Sequence, residues 1–333
     1  DDYRLLTIDH WYLMIDYLSL QTHIQNPLIS LLEYYRESEL PTQDELLLQS
    51  SGPVTDLAQK SFLPCLESIR ILFFEPHTNK EKKSISELNG DINLGFNESL
   101  IILIQEYKES RWHTIEEIKS SSLEDAINLT KKWEIPLVID SELAIVPGGF
   151  TGLLGYDLNR WSVDIKLENI PFPGTLLGVL WRADAWWVHD RALQKLELIS
   201  IPNHHWIKGA RANKINLKSP TDSSKLEFFE VPESESDASH ANKVDRIKNS
   251  IRQGHIYQLN YGRKWEGEMP DHPWYAFQRI LETNPSPFSS WLHVHDHGWS
   301  IASASPERLL KTKKGIVSTR PIKGTYPRGR SIV

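Results

Sequence analysis

Apolar positions set the first expectations. Ile15, Leu18 and Leu20, then Ile29, Leu31, Leu32 and Tyr35, recur at mixed spacing around Asn26-Pro27. This predicts one or two helices over residues 11–38, broken near the proline. Glu45-Leu46-Leu47-Leu48-Gln49-Ser50 is a short apolar run closed by Ser51-Gly52-Pro53, and Ile69 to Phe74 is another closed by Glu75-Pro76. Both read as buried strands. Residues 77–96 are polar, with Asn89-Gly90 suited to a hairpin turn. Helices are expected over 97–108 and 123–134, and a short strand over Ile135 to Asp140. Leu176 to Leu180, Ala185 to Asp190 and Lys195 to Ile201 read as successive strands of an antiparallel meander. Residues 202–238 are polar, with Pro, Ser and Glu gathered from Ser219 to Ser236, and mark a soft boundary between regions 1–235 and 236–333.

Beyond that boundary, Val244, Ile247 and Ile251 make a helical stripe within Ser239 to Arg252, with Gly254 as a C′ residue. Ile256 to Lys264 alternates as a strand with Ile256, Gln258 and Asn260 on one face. A helix follows over 273–283. Asn284-Pro285-Ser286-Pro287-Phe288 then makes a stiff turn into a strand ending at Val294, and Gly298-Trp299 turns the chain back into Ser300 to Ala304.

Composition adds limits. The chain has 333 residues, 40% hydrophobic and 24% charged, with a formal net charge of −7. That is an ordinary globular composition. Its acidic balance argues against general binding to nucleic acid or to an acidic membrane surface. No apolar run approaches the length of a membrane span. The single cysteine, Cys65, excludes an internal disulfide and points to a reducing compartment. The chain starts at Asp1, with no initiator Met and no signal-peptide pattern.

Several stretches carry candidate chemistry. Pro147-Gly148-Gly149-Phe150-Thr151-Gly152-Leu153-Leu154-Gly155 is glycine-rich, but no Gly-Lys-Ser/Thr follows and the spacing does not suit a dinucleotide loop. His189-Asp190 at a strand end reads as a turn rather than a catalytic pair. His204-His205, taken as strand residues, would point to opposite faces, with no Cys or further His at ligand spacing. The most informative stretch is Ser318-Thr319-Arg320-Pro321-Ile322-Lys323-Gly324-Thr325-Tyr326-Pro327-Arg328-Gly329-Arg330. It reads as a strand end running into a stiff, cationic loop. An ordinary lysine has a pKa of about 10.4, so only roughly one in 2,500 is a free amine at pH 7. Neighbouring arginines and burial would lower that pKa and make Lys323 a nucleophile; a solvated basic loop is the plainer reading. Upstream, Glu307 follows Ser305-Pro306. It is either a surface acid or, set against Lys323, a general acid.

Three motifs together resemble one family: Gly254-His255-Ile256-Tyr257-Gln258-Leu259-Asn260, Ser303-Ala304-Ser305-Pro306-Glu307-Arg308, and Pro321-Ile322-Lys323-Gly324-Thr325. In order and spacing they are similar to the chorismate-utilising enzymes. Within these, the resemblance is to aminodeoxychorismate synthase component I, with anthranilate synthase component I as the near relative. It implies an α+β fold in which two large, mostly antiparallel sheets pack as a sandwich with helices outside. It also implies conversion of chorismate and ammonia to 4-amino-4-deoxychorismate, with Lys323 and Glu307 catalytic and Gln258, Gly324, Thr325 and Arg328 contacting substrate. Relatives that add water carry a lysine where Gln258 stands, and an amide cannot remove a proton at neutral pH. Anthranilate synthases typically carry alanine where Lys323 stands.

The resemblance further implies Mg2+ on a substrate carboxylate, a glutaminase subunit supplying ammonia, and a cytoplasmic or plastid-stromal location. Leu47-Leu48-Gln49-Ser50 and the turn Asn284, Pro285, Ser286 and Phe288 are similar to elements that line a tryptophan pocket, although ordinary strand and turn chemistry accounts for them equally. Family members carry the glycine-rich strand where missing side chains let two sheets approach. His255 and Tyr326 depart from the usual aspartate and arginine. The family's C-terminal part, which carries the magnesium ligands, is expected to be absent, leaving unpaired sheet edges and a chain inactive alone. Anthranilate synthase component I, or a non-catalytic relative binding tryptophan or a glutaminase, are the alternatives.

Overall fold

The computed structural model describes residues 3–4, 7–8, 11–12, 15–37, 44–77, 99–135, 143, 145–163, 169–212, 217, 235–268, 272–313 and 315–322. In chain order the elements begin with strands β1 (Tyr3–Arg4), β2 (Thr7–Ile8), β3 (Trp11–Tyr12) and β4 (Ile15–Gln21), then helix α1 (Pro27–Glu37). Next come β5 (Glu45–Gln49), β6 (Lys60–Pro64), β7 (Ile69–Phe74), β8 (Leu100–Lys108) and β9 (Arg111–Ser120). Helices α2 (Leu123–Asn128) and α3 (Thr130–Trp133) lead to β10 (Gly149–Leu154), β11 (Leu176–Ala183), β12 (Ala185–Asp190) and β13 (Lys195–Ser200). Helices α4 (His205–Ala212), α5 (Asp237–Arg252) and α6 (Pro273–Thr283) precede β14 (Phe288–Val294), β15 (Trp299–Ser305), β16 (Arg308–Lys313) and β17 (Ile316–Arg320).

Two large sheets result. One has eight strands in the order β1-β4-β13-β12-β6-β5-β14-β15; the other has five, β10-β11-β7-β8-β9. The pairings within both are antiparallel. Because β14 joins β5, the chain beyond the polar stretch completes a sheet begun by the chain before it.

Alternation explains the layers. On β5, Leu47 faces a core with α1, α4 and α6, including Leu28, Leu31, Trp206, Phe277 and Trp291. Its neighbour Leu46, with Leu292 opposite it on β14, faces the other sheet and meets Leu72, Val179 and Trp181. On β7, Ile69, Ile71 and Phe73 turn outward under α2, where Ala126, Leu158 and Trp161 cover them. The order is therefore helices, sheet, sheet, helices, which is the expected α+β sandwich.

Three local expectations change. Residues 15–21 form a strand, and the helix starts only at Pro27, where proline at the first helical position sacrifices no needed N–H. Residues 100–108 are a strand, not a helix. Leu100, Ile102 and Ile104 pack under α2 while Leu103 faces the opposite sheet, so burial on both faces erases the alternating pattern. The expected meander splits: β12 and β13 pair with each other, but β11 belongs to the five-stranded sheet. The expected hairpin over 77–96 and strand over 135–140 lie largely outside the described residues.

The glycine-rich strand also has a different reason from the one expected. A Cβ on Gly152 would lie 2.0 Å from the Val179 carbonyl oxygen, and one on Gly155 would lie 2.4 Å from that of Leu177. The glycines thus admit the neighbouring strand of the same sheet rather than the facing sheet.

Candidate active site

The C-terminal motifs meet at a hairpin. Strands β16 and β17 pair antiparallel, from Arg308 opposite Arg320 to Lys313 opposite Ile316, with Gly315 at φ +75° in the turn. This hairpin explains the spacing between the two motifs, because residues just before β16 and just after β17 come side by side. Glu307 Oε1 accepts the Ile322 backbone N–H at 3.3 Å. The carboxylate thereby touches the residue immediately before Lys323. Lys323, Gly324, Thr325 and Arg328 lie outside the described residues.

The hairpin is open to solvent. Leu309, Leu310, Ile316 and Val317 are all exposed. Arg320 also pairs with Asp56, which ties β17 to the loop after β5.

Gln258 sits in a different setting from the one expected. Residues 256–264 take no strand geometry, and Gln258 is exposed. Polar anchors hold this segment instead: Tyr261 Oη donates to Glu235 Oε2 at 2.6 Å, and Arg263 pairs with Asp237 at 2.6 Å. Glu235 also takes Lys243 at 2.8 Å, and the Lys243, Tyr261 and Ser239 donors hold its carboxyl down at about 2. Alternation in sequence mistook a side-chain-anchored loop for a strand because, among the described residues, no neighbouring strand pairs with 256–264.

The two stretches named for a tryptophan pocket come together. The Ser50 hydroxyl lies 2.7 Å from the Lys60 carbonyl oxygen and 2.9 Å from that of Pro287. Ser51 donates its N–H to Ser286 O at 3.1 Å, and its hydroxyl accepts the Ser286 N–H at 2.9 Å. Ser286 is buried, Phe288 is half-buried, and Asn284 and Pro285 are exposed at the rim. These bonds already occupy the Ser50 hydroxyl with backbone carbonyls, so its first duty is to fasten the two loops.

Among the described residues, one group of three or more His, Cys, Asp or Glu side chains is close enough to share an ion, Cys65 with His204 and His205. Its soft donors suit other metals better than Mg2+, which prefers oxygen. No helix among the described residues is long and apolar enough to cross a membrane.

Comparison with known proteins decides the family. The chorismate binding enzyme model matches residues 72–332. The chain belongs to the chorismate-binding enzyme family. Among curated relatives, aminodeoxychorismate synthase component 1 of Salmonella typhimurium is 30% identical over 191 residues, covering 54% of this chain and 39% of that protein. Its Bacillus subtilis counterpart is 29% identical over 203 residues, covering 55% and 41%. Anthranilate synthase component I from Streptococcus pneumoniae shares the fold, with a TM-score of 0.52 over 90% of this chain and 60% of that one, at 18% identity. The matched segments thus span about two fifths of those two curated relatives.

Proposed function

We propose that this chain is part of an aminodeoxychorismate synthase large component, acting on chorismate with ammonia supplied by a glutaminase subunit. Lys323 would attack C2 of chorismate, forming a C–N bond as the ring double bond shifts. Glu307, protonated, would give its proton to the departing 4-hydroxyl, which leaves as water. Ammonia would then form the C4–N bond, the double bond would shift back, and the lysine amine would leave C2. Two allylic shifts replace one difficult substitution. Gln258, Gly324, Thr325 and Arg328 are proposed to contact chorismate. Magnesium is proposed to offset the charge of a substrate carboxylate in the closed site.

The contact between Glu307 and the Ile322 N–H carries this reading, because it places an acid beside the backbone that leads into Lys323. Relatives carrying the aminodeoxychorismate synthase name support the choice of product. The loop pair at Ser50 and Ser286 is proposed to border the tryptophan pocket. The complete gene product, given chorismate and an ammonium salt, tests the chemistry. Lys323→Ala should lower aminodeoxychorismate formation by at least about a hundredfold, and Glu307→Gln by a similar factor, as expected for a lost nucleophile or general acid. Mass spectrometry without ammonia should find chorismate minus water on Lys323. Normal product formation by Lys323→Ala would reject the covalent step. Anthranilate as the product would favour the second reading, an anthranilate synthase component I.

A further inference from the structure

A second cluster lies away from the hairpin, on the outer helical side of the eight-stranded sheet. Cys65 follows the last residue of β6 and is buried, its N–H donating to Ala185 O at 2.8 Å. His205 opens α4 and His204 precedes it. At a helix start, adjacent side chains can converge, unlike on a strand. Their rings lie 4.4 Å apart between centroids, tilted by 32°. The ligand atoms of Cys65, His204 and His205 all lie within 4.8 Å of one another.

Two further features favour a metal over packing alone. Glu67 Oε2 stands 3.1 Å from His205 Nε2, and a carboxylate on one imidazole nitrogen orients the ring so that the other can ligate. His205 is exposed, so a fourth ligand such as water can approach from solvent; Glu67 and Trp206, which flank the group, line a neighbouring cavity of about 720 Å³. Tetrahedral bonds of about 2.3 Å to sulfur and about 2.0 Å to nitrogen set ligand atoms roughly 3.5 Å apart, so binding would draw together side chains whose ligand atoms lie within 4.8 Å of one another. One contact opposes this: His204 Nδ1 accepts the Trp206 N–H at 3.2 Å, and ligation must displace that bond or move a proton onto Nδ1.

We infer that Cys65, His204 and His205 form a zinc site, with Glu67 holding His205 and the fourth position open to an exogenous ligand. The site is independent of the proposed chorismate chemistry. Binding would expel the Cys65 proton, since the thiolate is the ligand.

The cysteine makes the test specific. Thirteen histidines could give adventitious surface binding, but Cys65 is the only thiol. The purified protein, stripped by chelator, should take up one equivalent of Zn2+ near neutral pH and release protons. Co2+ in its place should show a thiolate-to-cobalt charge-transfer band that Cys65→Ser abolishes. His205→Ala, altering an exposed ring, should leave folding intact and weaken zinc binding at least tenfold. Zinc uptake below one equivalent, a cobalt spectrum without the thiolate band, or unchanged affinity in His205→Ala would each overturn the site.

Discussion

His189 is a buried base near the end of β12 with both ring nitrogens enclosed and, among the described residues, no hydrogen-bond partner. Burial, aided by Arg191, lowers its pKa to about 4. The unfolded chain holds an ordinary histidine near 6.5, so below that pH the unfolded state binds the extra proton. Stability from this residue is therefore intact above about pH 6.5, falls as pH drops toward 4, and is gone below. The depression corresponds to about 3 kcal/mol at most. His204 is depressed to about 4 as well, so a variant must separate the two. Urea unfolding at pH 7 and pH 4 should show His189→Leu losing about 3 kcal/mol less than the parent over that interval; equal losses would show that His189 does not titrate there. The neighbouring Asp190 is a turn residue, as its sequence setting suggested: its Oδ1 accepts the N–H groups of Ala192 and Leu193 at 3.1 and 3.0 Å. Reading Asp190 needed only local chemistry, whereas the enclosure of His189 comes from β6 and β13 on either side.

The same division between local and distant causes runs through the elements. β5, β7, β12 and β13 were legible because short apolar runs end in clear turn residues. β8 was not, because both its faces are covered. The motifs at Glu307 and Lys323 stood out through their resemblance to a family, and the hairpin that brings Glu307 to Ile322 was not foreseen; the Cys65 cluster needs two distant segments to meet and left no spacing to find. Glycine in β10 is legible as a motif, yet its purpose emerges only from the neighbouring strand. Gly152 has φ +156° and no room for a methyl group beside Val179 O. Since the obstacle is backbone within a sheet, it cannot swing aside, and β10 must part from β11. Gly152→Ala should cost more than about 2 kcal/mol, combining an unfavourable φ with lost strand pairing. Chemical denaturation would show this, and Gly209→Ala, which meets nothing within 4 Å in α4, should cost nothing by comparison.

Across the described residues, the two sheets are joined by apolar contacts and by a buried charged network around Arg70. Arg70 sits on β7 in the five-stranded sheet with no exposure. Its Nη1 reaches Asp44, just before β5 of the other sheet, at 2.8 Å, and its guanidinium also pairs with Asp296 after β14. Asp44 takes the Trp181 indole N–H at 2.7 Å and the His295 N–H at 2.9 Å, so its carboxylate is well supplied with donors. Gln105 Oε1 accepts from Arg70 Nε at 2.7 Å. Such a network contributes little net stability against an apolar replacement of the whole set, but removing one member strands the others. Arg70→Met should therefore cost about 3–5 kcal/mol, because Asp44 keeps a buried negative charge without its cation. Adding Asp44→Asn to that variant should return part of the loss: the Trp181 and His295 donors bond to opposite carboxylate oxygens, so the amide oxygen keeps one of them and the other bond is lost, but no buried charge is left behind. If the double variant is no more stable than Arg70→Met in urea unfolding, the stranded charge is not the source of the cost, and the sheets are held by the packing of Leu46, Leu72, Trp181 and Leu292 alone.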